Sequence, residues 1–251
     1  MQITPVKTHK VTDSDHDILA LVDRYILHLP ENSILVVTSK IVAITEGRIQ
    51  KIDVITAEED KEKLVKEESE MYIDKNENQY GFYLTITQNL LIPTAGIDES
   101  NGNGFYILWP EDPYASANKI REHLVKKFGF ENIGVLITDS KTTPLRWGTT
   151  GVSIAHSGFS ALNDYMGKPD LFERTMRVTK ANVADGLAAA AVVTMGEGQE
   201  STPFAIISDL PNVDFQKRNP TYEEINNLKI AIDDDVYAPI LKRAPWQKGN
   251  K

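Results

Sequence analysis

The chain has 251 residues, of which 41% are hydrophobic and 25% charged, and its formal net charge is -9. This composition is typical of a globular protein, and the negative charge argues against nucleic-acid binding through a general basic surface. The absence of cysteine excludes disulfides, thiolate metal ligands and cysteine nucleophiles. No apolar stretch approaches the roughly 18 residues of a membrane helix, and residues 1–5 show no signal pattern. We therefore expect a cytoplasmic protein that binds no membrane.

The first third of the chain alternates helical and strand patterns. Residues 15–29 carry a helical stripe ended by Pro30, residues 33–38 form a predicted buried strand, and residues 41–47 continue as strand or helix. Residues 56–79 are dominated by Glu, Lys, Asp and Asn. That pattern favours a solvated helix or a mobile segment over a partner-binding surface.

The later elements mix strands and helices in no regular order. The patterns predict strands over 82–92, 105–109, 133–137 and 204–207, helices over 116–128, 179–195 and 222–232, and a frayed end over 247–251. Without a steady βαβ rhythm, the sequence predicts an α+β fold with mixed or antiparallel sheets and flanking helices. No repeat or clear linker is present, so we treat residues 1–251 as a single functional unit.

Two aspartates stand beside hydroxyl or amide side chains where apolar runs stop. Asp98 lies in a turn with Ser100 and Asn101, and Asp139 follows a β-branched run and precedes Ser140. A carboxylate at the end of a buried strand projects into a crevice, where ligands bind in mixed α/β folds. Such oxygens suit a hard cation, Mg²⁺ or Mn²⁺, although each Asp taken alone is typical of a turn or cap.

Three further segments are candidates for binding anionic ligands, and each has a purely structural alternative. Ser39 and Lys40 end a buried strand, where a lysine can neutralise phosphate or simply be solvated. Residues 195–202 form a Gly-rich acidic loop that is also typical of a helix C-cap. Arg146 can hold an anionic group by bidentate contacts or pack on Trp147 at the surface. No Walker loop, G-x-G-x-x-G, H-E-x-x-H or G-x-S-x-G motif occurs.

Taken together and in this order, these segments resemble the coenzyme F420-0:L-glutamate ligase (F420-0 gamma-glutamyl ligase) family. The matching stretches are Val36 to Val42, Glu46 to Arg48, Ala95 to Asn101, Pro110 to Pro113, Ala115 to Ala117, Ile137 to Ser140, Arg146, Gly148, Thr150 to Val152, Thr179, Ala184 to Asp185 and Met195 to Glu197. The resemblance implies an α+β fold of two interleaved parts and a homodimer. It also implies a GTP- and metal-dependent ligase that joins L-glutamate to a carboxylate of a small acceptor through an acyl phosphate.

The resemblance also implies roles for individual residues. One divalent ion, Mg²⁺ or Mn²⁺, would be held by Asp98 and Asp139, and a second by Ser140 and Glu197. The implied catalytic residues are Asp98, Asp139 and Arg146. The implied GTP contacts are Pro5, Val6, Lys7, Thr8, Ser39, Lys40, Asn101, Met195, Gly196, Gly198 and Gln199.

The chain departs from the family pattern mainly around the nucleotide and acceptor. The usual G-R-P after the second aspartate motif is replaced by residues 141–144, and Ala43 or Ile44 stands where a lysine is usual. These departures indicate a divergent member whose acceptor is F420-0 or a related metabolite. Two alternatives remain open: a nucleotide- or metabolite-binding homologue without ligase activity, and a metal-dependent kinase of a small acceptor.

Overall fold

A five-stranded sheet at the centre of the molecule places the two aspartate motifs. The computed structural model describes all residues 1–251. The strand order is β1 (Gln2–Val6), β12 (Phe204–Ser208), β2 (Ser33–Thr38), β8 (Ile133–Thr142) and β9 (Thr149–Ser157). Only β2 and β8 pair in parallel; the other pairs are antiparallel. Since β2 is buried on both faces, its continuous apolar run is that of a central strand.

Helices cover both faces of this sheet. On one face, α1 (Ile18–Tyr25), α2 (Ser39–Thr45) and α4 (Pro113–Phe128) pack against Leu35 and Val37. On the other, α5 (Val183–Met195) packs against Ile34 and Val36. Successive strand residues point to opposite faces, so one apolar run supplies both cores. The small-residue face expected for α5 packs closely against strand β9. The approach is so close that a Cβ at Gly151 on β9 would lie 2.3 Å from the Ala188 carbonyl oxygen on α5.

A smaller antiparallel region follows the first strand and helices. It contains the sheet β13 (Gln247–Lys248), β4 (Met71–Ile73), β5 (Leu84–Thr87) and β6 (Leu90–Pro93), and the pair β3 (Ile49–Lys51) and β7 (Phe105–Ile107). Helix α3 (Ala57–Glu68) joins this region through Leu64 and Val65, which share a core with Tyr72, Tyr83 and Tyr106. The turn that carries Asp98 is bridged to Ile107 and thereby belongs to this region.

Two antiparallel strand pairs are connected by segments with exposed side chains. The strands β8 and β9 join through exposed residues 143–148, and β10 (Leu162–Asp164) pairs with β11 (Lys180–Asn182). The chain ends in two short helices, α6 (Tyr222–Asn226) and α7 (Ala238–Leu241), before β13. No helix has both the length and the apolar character needed to cross a membrane.

The fold class is confirmed, since seven helices combine with mixed and antiparallel sheets. Several boundaries were wrong. Within residues 56–79, a helix spans Ala57–Glu68 with only Leu64 and Val65 buried, as the solvated-helix alternative predicted, and an unpredicted strand spans Met71–Ile73. Of the two alternatives for residues 41–47, the helix is confirmed as far as residue 45, where α2 ends. The predicted helix over 179–195 begins later than expected, because Lys180–Asn182 form strand β11 and the Asn182 side chain caps the N-terminus of α5. The predicted helix over 222–232 ends at Asn226, and the end expected to fray instead pairs with β4.

Candidate functional site

A cavity of about 620 Å³ opens where the parallel pairing of β2 and β8 stops, just beyond Thr38 and Thr138. Its wall is built from five separate segments. They are residues 8–12, the β2–α2 junction, the turn around Asp98, residues 138–140 and the loop 195–203. The predicted site residues that line it are Thr8, Lys40, Asp98, Asn101, Asp139, Ser140, Met195, Gly196, Glu197, Gly198 and Gln199. The fold therefore brings together most of the residues singled out from the sequence.

Asp98 is held in its turn by Lys40 and Ser100. Lys40 Nζ lies 2.6 Å from Asp98 Oδ2 and also donates to the Ser100 carbonyl oxygen at 2.8 Å. The Ser100 backbone N–H donates to Asp98 Oδ1 at 2.7 Å, and its hydroxyl donates to Oδ2 at 3.0 Å. Burial raises the pKa of Asp98, but the Lys40 charge and these hydrogen bonds outweigh it, so the pKa lies below its usual value. Asp98 is therefore a charged carboxylate at neutral pH.

Asp139 lies inside a strand rather than at its end, which corrects the expectation from the sequence. Strand β8 continues to Thr142 as half of the hairpin with β9, and its pairing register shifts between Ile137 and Thr138. The Trp109 indole N–H donates to Asp139 Oδ2, and the Ser140 backbone N–H donates to Oδ1 at 2.8 Å. Burial, reinforced by the charge of Asp98, raises the pKa of Asp139 to about 6 despite these donors.

The two carboxylates fit one hard cation. Each faces the cavity, they repel one another, and Ser140 adds a hydroxyl oxygen beside Asp139. A divalent cation prefers such oxygen ligands and would offset both the burial and the repulsion of the carboxylates. A second ion has weaker support. Its proposed ligand Glu197 accepts a hydrogen bond from the Thr149 hydroxyl at Oε1, at 3.4 Å, and that oxygen is therefore already engaged. The structure contains no group of three or more His, Cys, Asp or Glu side chains arranged to hold a metal.

The loop 195–203 is tied to the aspartate turn and to the N-terminal segment. Asn101 Nδ2 donates to the Gly198 carbonyl oxygen at 3.0 Å, and the Thr8 backbone N–H donates to Ser201 O at 2.9 Å. Gly196 has φ +81°, and a Cβ there would lie 2.5 Å from the Glu200 carboxyl carbon. A side chain at that position would displace Glu200, whose Oε2 accepts the Gly198 N–H at 2.8 Å. Glycine is therefore required for the shape of this wall.

Five predicted residues lie outside the cavity lining. Pro5 and Val6 belong to β1 and pair with Ala205 and Phe204, and Lys7 is exposed just after them. Ser39 is buried in the first turn of α2. Arg146 lies in the exposed loop at the tip of the β8–β9 hairpin. Their predicted roles stay predictions.

Residues 9–12 line the cavity and were missed in the sequence. His9 is anchored on both sides: its Nδ1 lies 2.6 Å from the Tyr25 hydroxyl and its Nε2 lies 3.0 Å from Asp15 Oδ1. This anchoring holds Lys10 at the rim of the cavity, where it has no ion-pair partner within 4.0 Å. The neighbouring basic side chains of His9 and Lys10 were a signal in the sequence, but no local pattern showed that they would line the same cavity as Asp98.

Comparison with known proteins agrees with the resemblance noted from the sequence. The family model described as F420-0:Gamma-glutamyl ligase matches residues 6–209. The chain is similar to the Coenzyme F420:L-glutamate ligase of Methanococcus maripaludis strain C7, with 33% identity over 210 residues, 79% of this chain and 84% of the relative. The proteins of the same name from Archaeoglobus fulgidus and Methanocaldococcus jannaschii extend the comparison. The Archaeoglobus fulgidus protein is 29% identical, and the match covers 97% of this chain and 98% of the relative. The Methanocaldococcus jannaschii protein is 42% identical, and the match covers 50% of this chain and 51% of the relative.

Proposed function

Because the chain belongs to the F420-0:gamma-glutamyl ligase family, we propose that it forms an amide bond between L-glutamate and a carboxylate of a small acceptor. The acceptor is F420-0 or a related metabolite. The observation that carries the proposal is the pair Asp98 and Asp139 facing one polar cavity beside Lys40 and Asn101. A ligase of this type needs such a site because it must neutralise a polyphosphate and hold two substrates next to it.

The proposed reaction begins with activation of the acceptor carboxylate. A carboxylate oxygen attacks the γ-phosphorus of GTP, the bond to the β-phosphate oxygen breaks, and GDP leaves with that electron pair. The product is an acyl phosphate. The glutamate amine then attacks the acyl carbon, loses a proton, and expels inorganic phosphate. Phosphoryl transfer of this kind depends mainly on positioning and charge neutralisation, so no covalent enzyme nucleophile is required.

The chain's residues have distinct tasks in this scheme. Asp98 and Asp139 would hold a Mg²⁺ or Mn²⁺ ion, which supplies charge neutralisation at the transferred phosphoryl group. Asn101 and the loop 195–199 lie on the same side of the cavity and would contact the nucleotide. We keep Ser140 and Glu197 as the proposed ligands of a second ion. Replacement of Ser140 by Ala should then weaken the second ion only.

We also propose a homodimer, supported by the exposed segments that connect the two antiparallel strand pairs β8–β9 and β10–β11. Trp147 is 91% exposed at the tip of the β8–β9 hairpin, beside the fully exposed Leu145. Phe172, 83% exposed, and Leu171 lie between β10 and β11. Large apolar side chains clustered on exposed connecting segments mark interaction surfaces, and a second copy is the partner that the family resemblance implies. Light scattering after size exclusion should give twice the chain mass of 28.1 kDa.

The proposed activity is tested in two steps. Thermal shift with GTP and with ATP, each with and without Mn²⁺, should show a metal-dependent rise of the melting temperature with GTP, since a ligand of the native state stabilises it. Phosphate release should then require both acceptor and L-glutamate. Release without glutamate would identify a kinase of the acceptor. Nucleotide binding without phosphate release under any condition would identify a nucleotide-binding protein that has no ligase activity. The absence of any thermal shift would contradict the proposed nucleotide site itself.

A further inference from the structure

The indole of Trp109 contacts both aspartate motifs. It is only 2% exposed and belongs to the core between the central sheet and α4. Its N–H donates to Asp139 Oδ2 on strand β8. Because the Ser140 N–H binds the other oxygen, both oxygens of the Asp139 carboxylate have a fixed donor. The ring therefore determines how this carboxylate faces the cavity.

The same ring supports the turn that carries Asp98. Gly96, with φ +73°, lies so close that a Cβ there would be 2.3 Å from the indole Nε1 and 2.4 Å from Cε2. Two residues later, Asp98 exchanges backbone hydrogen bonds of 2.9 and 2.8 Å with Ile107, which is two residues before Trp109. The backbone of the Asp98 turn is thus packed against the tryptophan that binds Asp139.

We propose that Trp109 is a positioning residue that sets the separation and orientation of Asp98 and Asp139, and thereby the affinity of the site for a divalent cation. The inference rests on the metal-dependent function proposed above. Hydrogen-bond partners behind a metal ligand orient it, and their removal typically weakens metal binding by about 10- to 100-fold. Trp109 differs from an ordinary partner because it contacts the segments of both ligands.

Packing and hydrogen bonding can be separated experimentally at this position. Trp109→Phe retains a buried aromatic ring but leaves Asp139 Oδ2 without its donor. Trp246→Phe is the matched control, because the Trp246 indole also donates a hydrogen bond, but to the Leu241 carbonyl oxygen at 2.6 Å and not to either aspartate. If Trp109 acted only through packing, the Phe variant would keep wild-type metal affinity whatever its melting temperature.

The first measurement is Mn²⁺ binding to the full chain by titration calorimetry, without nucleotide. We expect Trp109→Phe to raise the Mn²⁺ Kd by about 10- to 100-fold, while Trp246→Phe stays within twofold of wild type. A Trp109→Phe Kd within twofold of wild type would overturn the inference and leave the proposed function intact. Absence of Mn²⁺ binding by the wild-type chain would overturn the proposed metal dependence and this inference with it.

A second variant and a spectroscopic readout make the test independent of that one substitution. Gly96→Ala removes no polar group, but its Cβ must displace the indole, so we expect a similar rise of the Mn²⁺ Kd. Paramagnetic Mn²⁺ should also quench Trp109 fluorescence in the wild type and in Trp246→Phe, and the quenching should disappear in Trp109→Phe. Unchanged quenching in Trp109→Phe would mean that the metal binds elsewhere and would contradict the inference.

Discussion

At the scale of single residues, the two cavity carboxylates are held in opposite ways. Asp98 is paired with Lys40, which keeps its pKa below the usual value. Asp139 has neutral donors only, and burial raises its pKa to about 6. In a buried environment, a neighbouring opposite charge stabilises an ionised carboxylate far more than neutral hydrogen-bond donors do. Of the two proposed metal ligands, Asp139 is therefore the one whose charged form a bound cation would stabilise more.

We expect Asp139→Asn to lose divalent-metal binding. The amide carries no charge, so the Mn²⁺ Kd should rise by at least the roughly 100-fold seen when strong supporting contacts are removed. The melting temperature without metal should change little, because relief of the repelled, buried charge offsets the loss of one of the two hydrogen bonds that the carboxylate accepts. Calorimetric titration measures the first quantity and a thermal scan the second. The exposed Asp53→Asn is the control, and unchanged metal affinity in Asp139→Asn would refute the metal assignment.

Lys10 offers a second test at this scale. Lys10 lines the cavity and has no ion-pair partner, whereas Lys40 is already paired with Asp98. We expect Lys10→Ala to weaken GTP binding by about 1 kcal/mol, or about fivefold in Kd, since a partly solvated charge contributes modestly. Lys126→Ala on the exposed side of α4 should leave the Kd unchanged. Equal affinities for wild type and Lys10→Ala would exclude Lys10 from the nucleotide site.

At the scale of elements, the C-terminal segment shows how tertiary contacts order a chain end. Strand β13 pairs with β4, and the backbone N–H groups of Gly249, Asn250 and Lys251 donate to Glu70, Lys66 and Ser69. Lys251 Nζ also lies 2.7 Å from the partly buried Glu68. Composition alone suggested fraying, because a two-residue strand with polar side chains carries no apolar pattern.

Gly249 is the residue that permits this close approach. A Cβ at this position would lie 1.9 Å from the Ser69 carbonyl oxygen, so Gly249→Ala must detach the segment. We expect a loss of about 1–3 kcal/mol and faster amide exchange over residues 66–73. Gly186→Ala is the matched control, because nothing lies within 4 Å of its Cβ and the site is inside α5. That variant should gain about 0.5–1 kcal/mol, and unchanged exchange in Gly249→Ala would contradict the docking.

Elements with a strong local pattern were predicted well. Strand β2 and helix α4 were found nearly as they are, because a continuous β-branched run and a four-residue apolar spacing each specify one structure. Gly129 ends α4 with φ +78°, as expected for a C-cap. The hairpin strands β9, β10 and β11 were missed. The short β10 and β11 are mostly polar, and β9 mixes polar residues and Gly151 with Val152, Ile154 and Ala155, so their strand structure depends on pairing with neighbouring strands.

At the scale of the whole molecule, His156 links the stability of the fold to pH. It is 1% exposed on β9, its ring packs against Phe159 and Tyr114, and its Nδ1 has no hydrogen-bond partner. Burial lowers the pKa of His156 to about 4, and the neighbouring Glu224 offsets this only in part. The unfolded chain binds this proton near pH 6.5. Between pH 6.5 and 4 the unfolded state therefore holds more protons, and stability falls as pH falls.

We expect His156→Gln to reduce this pH dependence. Between pH 7 and pH 5, wild type should lose about 2 kcal/mol of unfolding free energy more than the variant, at about 1.4 kcal/mol per pH unit below 6.5. Urea unfolding at the two pH values measures the difference. The exposed His28→Gln should follow wild type. An identical loss in wild type and His156→Gln would show that His156 is already protonated in the native state.

The sequence by itself determined the α+β class, the central strands, the family and the two aspartates of the candidate site, because each leaves a local pattern of periodicity or a short motif. Only the tertiary structure decided which side chains share the cavity. It added residues 9–12 and Trp109, and it placed Arg146 on an exposed hairpin. These contacts join segments as far apart in the sequence as Thr8 and Ser201. Such contacts exist only once the sheet and its helices have packed, because burial and hydrogen-bond geometry act between distant segments.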